Sequence, residues 1–340
     1  MNRRERALRQ RRRRVFCVAA GFVLLFSLTL FFLFRKKDGG TDSLLLCPYQ
    51  YENETLNFSG PNARKPLGFA ASLGTVPDES VYYDTSIATG AAIMVNVDTQ
   101  EVLHSEGAFL QMAPASTTKL MTLLVTLRNG NLDDMVTVPE EAVRVLDGTG
   151  SSLAYIHAGD RISLRDLCYG LMLKSGNDAA NAIACHVAGS IEAFTELMNQ
   201  TAVEIGATNS HFMNPHGLDA EGHYTTAYDL YLIFNALLPY DEFRTMINTR
   251  EYTASYLDAA GSPTSNTWGN SNGFISGEFG APAGVTVIGG KTGTTDNAMY
   301  CLTLSSQGPN GDTYISVVLR SASRPKLYEN MTNLLVKIPN

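Results

Sequence analysis

Three short segments carry side chains whose types and spacing suit nucleophilic catalysis: Ser116-Thr117-Thr118-Lys119, Ser175-Gly176-Asn177 and Lys291-Thr292-Gly293. A serine hydroxyl is a weak nucleophile until a base takes its proton. Lys119 stands three residues after Ser116, a spacing that on a helix puts both on one face with Cβ atoms about 5–6 Å apart. An ordinary lysine, with a pKa of about 10.4, is protonated at neutral pH and cannot be that base. Burial or a neighbouring cation must lower it, and Lys291 is the candidate cation. Ser116 follows Pro114-Ala115 at an expected helix start, where backbone N–H groups without intrahelical partners can stabilise an oxyanion.

Each segment alone has a plain structural explanation. Ser116 would cap a helix with Lys119 in solvent; Ser175, Asn177 and Asp178 in LMLKSGNDAANA would accept N–H groups at a turn between two helices. Asp178 and Asn181 are assigned that capping role. Lys291-Thr292-Gly293 is expected to end the strand VTVIGG, where Gly293 permits close backbone approach and the Lys and Thr can bind a carboxylate. The occurrence of all three in this order is what coincidence does not explain.

The elements that must position these residues follow from periodicity and turn residues. GAAIMVNV and EVLHSE around Asp98-Thr99-Gln100 predict a hairpin. A helix is expected from Ser116 to a stop at Gly130, and a second from Ser163, where S-x-x-D resembles a capping box. Further helices are expected at 177–187, 191–205, 227–238 and 324–336, and strands at 285–288, 299–305 and 314–319. Strands at both ends around a helix-rich middle predict an α+β fold in which N- and C-terminal strands share one antiparallel sheet. Outside the apolar segment described next, the cysteines are Cys47, Cys168, Cys185 and Cys301. They lack metal-ligand spacing and read as buried free thiols.

Charge is unevenly placed along the 340 residues. Residues 1–37 hold 11 of the 26 Lys+Arg and 1 of the 33 Asp+Glu, leaving 15 basic against 32 acidic residues, net −17, in the remainder. So acidic a body argues against nucleic-acid binding. Residues 15–34 are 20 uncharged, largely apolar residues, enough for a helix of about 30 Å. Eight arginines precede the run and Arg35, Lys36 and Lys37 follow it, which predicts a cytoplasmic N-terminus. A cleaved signal peptide is the competing reading, but its apolar core spans about 7–15 residues and ends at a small-residue site, and no A-x-A follows here. Cys47, in LLLC, is similar to a lipoprotein acylation site, although Leu precedes it and it lies well beyond the run. The expected organisation is a basic cytoplasmic tail (1–14), a transmembrane anchor (15–34), a flexible extracytoplasmic linker (35–66) and a catalytic domain (67–340).

PASTTKLMT, LMLKSGNDAANAIA, HFMNPHGLDAEGHYTTAYDL and IGGKTGTTDNA together resemble the D-alanyl-D-alanine carboxypeptidases, the low-molecular-mass penicillin-binding proteins. The resemblance covers residues 67–339. It implies a β-lactamase/transpeptidase-like fold, with an antiparallel sheet flanked by helices and an all-helical subdomain. The implied reaction removes the terminal D-Ala from peptidoglycan pentapeptides through an acyl-enzyme, with β-lactams as covalent inhibitors and no cofactor. By that resemblance Ser116 is the nucleophile, Lys119 its base and Ser175 the proton shuttle. Asn177 orients lysine and substrate amide, and Lys291 and Thr292, in the motif closed by Gly293, hold the substrate carboxylate. The N–H groups of Ser116 and Thr294 form the oxyanion hole, while Asn214-Pro215-His216-Gly217-Leu218 is read as structural. The chain departs from the family after the third motif, with Thr294 and Ala298-Met299 where an aromatic or His and Ala-Gly are common. Members also commonly carry a C-terminal β-rich domain followed by an amphipathic membrane helix, and neither is expected here, since the sequence reaches Asn340 too soon for them. Attachment to a bacterial membrane, of Gram-positive type, is then expected through the N-terminal segment.

Three alternatives compete. A class A β-lactamase is expected to have Asp where Gly176 stands and a Glu in an E-x-x-L-N loop; Glu196-Leu197-Met198-Asn199 has the wrong spacing and a helical pattern. A zinc carboxypeptidase would draw on His211, His216, Asp219 and His223, whose spacing is not H-E-x-x-H; His223 is expected to precede a helix capped by Thr225. A non-catalytic sensor or scaffold would bind wall peptides or β-lactams without turnover.

Overall fold

The computed structural model describes residues 73, 74, 76 and 84–339. The expected tail, anchor and linker, with Cys47, lie outside these residues, and among the described residues no helix is long and apolar enough to cross a membrane.

Strands β1 (Ala91–Asn96) and β2 (Val102–Glu106) form the expected antiparallel hairpin, with Ala92 opposite Glu106 and Val95 opposite Val102. All six residues of β1 are buried, because both its faces are covered, and this explains its unbroken apolar run. A 3-10 turn (Ala115–Thr118) then feeds α1 (Lys119–Asn129), which stops at Gly130 as expected. β3 (Met135–Thr137), α2 (Glu140–Arg144) and β4 (Arg161–Ser163) lead to α3 (Leu164–Tyr169). Ser163 caps α3 as anticipated: its hydroxyl accepts the Asp166 N–H and donates to the Asp166 carboxylate. A π-helical turn (Gly170–Lys174) connects α3 to α4 (Asn177–Ala188), followed by α5 (Ile191–Glu204), α6 (Ala227–Leu237) and α7 (Asp241–Asn248). The chain closes with the hairpin β5 (Glu251–Leu257) and β6 (Pro263–Gly269), the short α8 (Gly273–Ser276), β7 (Thr286–Thr295), β8 (Met299–Gln307), β9 (Thr313–Ser321) and α9 (Arg324–Leu335).

The main sheet runs β2-β1-β9-β8-β7, antiparallel throughout, so strands from the two ends of the chain do share one sheet. Alternate residues point to opposite faces. Ala92, Met94, Leu302, Leu304 and Val318 pack under α9 through Leu327, Tyr328 and Met331, whereas Ile93, Val95, Cys301, Val317 and Leu319 join the large core filled by the other helices.

Several expectations need correction. A second antiparallel sheet, β3-β4-β5-β6, was not foreseen. β3 and β4 have three residues each, too few to show a period of two. α6 is capped by Thr226, which accepts the Asp229 N–H, and not by Thr225, whose hydroxyl pairs with Ser210. β7 is longer than the expected 285–288 and carries Lys291-Thr292-Gly293 within it, continuing to Thr295. Asp178 does more than cap α4, accepting N–H groups of Ala154 and Ile156 as well as Ala179, and the Asn181 amide donates to the Ala142 carbonyl. Cys168, Cys185 and Cys301 are free thiols. Cys185 is only half-buried; burial pushes the thiols of Cys168 and Cys301 up to about 12.

Candidate active site

Ser116 sits on the 3-10 turn, where residues three apart eclipse one another, so the first residue of α1, Lys119, stands directly over it with Nζ 3.0 Å from Oγ. Ser116 makes no side-chain cap of α1, which removes the plain explanation for it. Ala115, just before it, is a buried non-glycine residue at φ 48°, a conformation retained only where the surroundings impose it. Two glycines supply those surroundings. A Cβ on Gly217, at φ +94°, would lie 1.9 Å from the Ala115 carbonyl oxygen, and one on Gly293 would lie 3.0 Å from Pro114 O and from the amide nitrogens of Ser116 and Thr117. The turn is thus clasped between the 214–218 segment and edge strand β7.

Lys119 is fully buried, and its Nζ meets three oxygens: Ser116 Oγ at 3.0 Å, Asn177 Oδ1 at 2.7 Å and the His216 carbonyl at 2.6 Å. Carbonyl oxygens only accept, so two of these contacts each consume an amine N–H, and a neutral amine then has its lone pair left for the Ser116 hydroxyl. Burial holds the Lys119 pKa well below the usual lysine range, and the Lys291 cation lowers it further against the opposing Asp178 carboxylate.

Ser175 takes up the left-handed conformation (φ 63°, ψ 34°) between the π turn and α4. There its Oγ accepts from Lys291 Nζ at 3.0 Å. Lys291 also donates to the Thr292 carbonyl at 2.8 Å, and burial brings its pKa down to about 7. Thr292 Oγ1 lies 3.0 Å from Ser271 Oγ. All the expected side chains therefore converge. Ser116, Lys119 and Asn177 form one hydrogen-bonded group and Ser175, Lys291 and Thr292 the next. Gly293 backs the nucleophile, and Thr294 is the exposed next residue of β7.

The histidines are occupied with structure. His223 accepts the Met213 N–H at Nδ1, so its neutral ring donates from Nε2 to Thr118 Oγ1. His216 accepts the Leu218 N–H at Nδ1. Burial lowers His223 to about 4 and His216 to about 3, the latter helped by Lys119. Asp219 accepts from the Thr295 hydroxyl and the Asn297 N–H, and His211 Nδ1 is paired with the Gly222 carbonyl. Among the described residues no group of three or more His, Cys, Asp or Glu is gathered as a metal site. Glu196 lies within helix α5.

The profile of the D-alanyl-D-alanine carboxypeptidase family matches residues 78–323. The chain belongs to the D-alanyl-D-alanine carboxypeptidase family. A D-alanyl-D-alanine carboxypeptidase from Streptomyces sp. strain K15 is 34% identical over 78% of this chain and 92% of its own length. The DacF carboxypeptidase of Bacillus subtilis is 33% identical over 76% of this chain, which spans 64% of that longer relative. The crystal structure of the Streptomyces K15 DD-transpeptidase superposes with TM-score 0.69 at 33% identity, covering 75% of this chain and 98% of that one.

Like these D-alanyl-D-alanine carboxypeptidases, the chain is a serine-type peptidase with a mixed fold of antiparallel sheets and helices. Sequence reasoning missed two groups at the site. Ser271 meets Thr292 across 21 residues and carries no local signal. The His216 carbonyl is a backbone group, and the NPHGL segment treated as purely structural supplies it.

Proposed function

We propose that this protein is a membrane-anchored D-Ala-D-Ala carboxypeptidase that works through an acyl-enzyme on Ser116. The observation that carries the reading is the buried Lys119 amine, held by Asn177 and His216 with its remaining direction on Ser116 Oγ. Lys119 takes the Ser116 proton as Oγ attacks the carbonyl carbon of the penultimate D-Ala. The N–H groups of Ser116 and Thr294 receive the oxyanion. Ser175 passes its proton to the departing D-Ala amine and regains one from the protonated Lys119, which is then neutral again, and the Lys291 cation beside Ser175 favours that transfer. Lys291 and Thr292 hold the terminal carboxylate while Asn177 Nδ2 orients the substrate amide. Water then hydrolyses the ester.

β-Lactams present a strained amide to the same serine and are expected to acylate it. Residues 15–34 serve as the anchor and 35–66 as the linker, which puts the 67–340 domain outside the cell membrane near its wall substrate; the uncharged run and the arginines before it support this. The relative named a DD-transpeptidase favours a second outcome for the same acyl-enzyme, transfer to an amine in place of water. The test is release of D-Ala from a peptide ending in D-Ala-D-Ala, with and without added acceptor amine. Release by wild type and its loss in Ser116→Ala are expected; release by Ser116→Ala that chelators abolish would overturn the reading in favour of metal chemistry.

A further inference from the structure

Tyr155 is a bulky residue at φ 61°, in a region that side chains other than glycine seldom adopt. Five hydrogen bonds hold the backbone on both sides of it. The Asp178 carboxylate accepts the N–H of Ala154 at 2.7 Å and of Ile156 at 3.2 Å. Asn266 Nδ2 donates to the carbonyls of Ala154 at 3.2 Å and Tyr155 at 2.9 Å, and Trp268 Nε1 donates to Ala154 O at 2.9 Å. The ring held this way is not used inside the fold, being 61% exposed. Glycine would take the same conformation without strain, so the backbone gains nothing from a tyrosine here. What the arrangement does is present an aromatic face outward at a fixed place.

That place adjoins the Ser175-Gly176-Asn177 segment of the site. Gly176, between Ser175 and Asn177, is packed so closely under Ala154 that an added Cβ would lie 2.7 Å from the Ala154 Cβ, and the Asn177 N–H donates to the Ser152 carbonyl. Lys174, the residue before Ser175, is exposed, and its Nζ lies 5.7 Å above the Tyr155 ring. The ring face attracts and steadies this ammonium. Among the described residues no carboxylate forms an ion pair with Lys174, although residues 38–340 carry a net charge of −17. An unmatched cation, steadied by an aromatic face beside a peptidase site in an acidic body, is suited to an anionic part of the substrate.

We infer that Tyr155 and Lys174 form an aromatic and cationic lip of the active site that receives an acidic residue of the donor peptide, N-terminal to the scissile D-Ala-D-Ala bond. The inference rests on the peptidase reading above. Lys174 pairs with the carboxylate, and the aliphatic part of the acidic side chain lies on the ring.

The test uses the full chain and two synthetic peptides ending in D-Ala-D-Ala that differ only in carrying glutamate or glutamine upstream of it. The wild type is expected to favour the glutamate peptide in kcat/KM by about two- to fivefold, the size of an exposed ion pair. Lys174→Met should bring the ratio to about one, and Lys174→Arg should restore it. Tyr155→Gly should lower kcat/KM for the glutamate peptide with no loss of thermal stability, whereas a merely structural tyrosine would lower Tm. Acylation of each variant by benzylpenicillin establishes that its site is folded. The same ratio in wild type and Lys174→Met overturns the lip. Release of D-Ala from neither peptide by the wild type overturns the peptidase reading, and the lip with it.

Discussion

The fully buried Lys119 places its Nζ 3.0 Å from Oγ of the half-buried Ser116, and the contact is directional because Asn177 and His216 take up the other two hydrogen-bonding positions of the amine. Removing one acceptor frees the amine to turn. Asn177→Ala is expected to slow acylation by benzylpenicillin about 10²-fold, the usual cost of misplacing a reacting group. Intact-mass time courses measure it, and a rate within threefold of wild type would show that Asn177 does not orient the base.

The carbonyl of His216 reaches Lys119 only because Gly217 lies flush against the nucleophile turn. With a Cβ 1.9 Å from the Ala115 oxygen, Gly217→Ala must push the two segments apart. We expect at least a tenfold loss of acylation rate and a Tm lower by several degrees, read by mass spectrometry and calorimetry. Wild-type values for both would contradict the close approach.

Lys291 has a pKa of about 7 in the free protein because of its burial. It loses its charge as pH rises through that value, and with it the pull on the substrate carboxylate. The kcat/KM profile, which reports free-enzyme groups, should therefore fall on the alkaline side beginning near pH 7. Arginine stays charged throughout. Lys291→Arg is expected to be slower overall, by about tenfold, yet to lack this alkaline limb; an unshifted limb in the variant would assign it to another group.

His223 binds its proton in the folded state only near pH 4, against about 6.5 when unfolded. Between those values the unfolded chain holds the extra proton, so stability present above pH 6.5 is lost as pH falls toward 4. The two pKa values are worth about 3 kcal/mol for this residue. His223→Gln should flatten the dependence of the urea midpoint on pH across that window. An equal slope in wild type and variant would show that the imidazole is not the acid-sensitive group.

The parts of this protein legible in the sequence were those encoded locally. The three motifs are contiguous triplets or quartets, the β1–β2 hairpin shows as two apolar runs about the turn at Asp98-Thr99-Gln100, and Ser163 announces α3 by its spacing to Asp166. What was not legible depends on contacts between distant segments. β4 and β5 pair only through Arg161 and Leu257, so no run of residues signals the second sheet. Ser271 meets Thr292 only after β7 has folded past it. Asp178 was assigned a helix cap because its partners Ala154 and Ile156 lie more than 20 residues earlier, and backbone groups such as the His216 carbonyl have no residue type by which to be recognised. The strand before Lys291-Thr292-Gly293 was expected over 285–288 with the motif at its end, whereas β7 runs on along the sheet edge to Thr295, because its continuation is set by pairing with β8 and not by its own residues.

The central claim is that Ser116 is the nucleophile. The most direct measurement is the intact mass of the protein after incubation with benzylpenicillin, with peptide mapping of any adduct, for wild type and Ser116→Ala. A single covalent adduct on the peptide containing Ser116 in wild type, and none in the variant, is the predicted result. An adduct of the same extent in Ser116→Ala would contradict it.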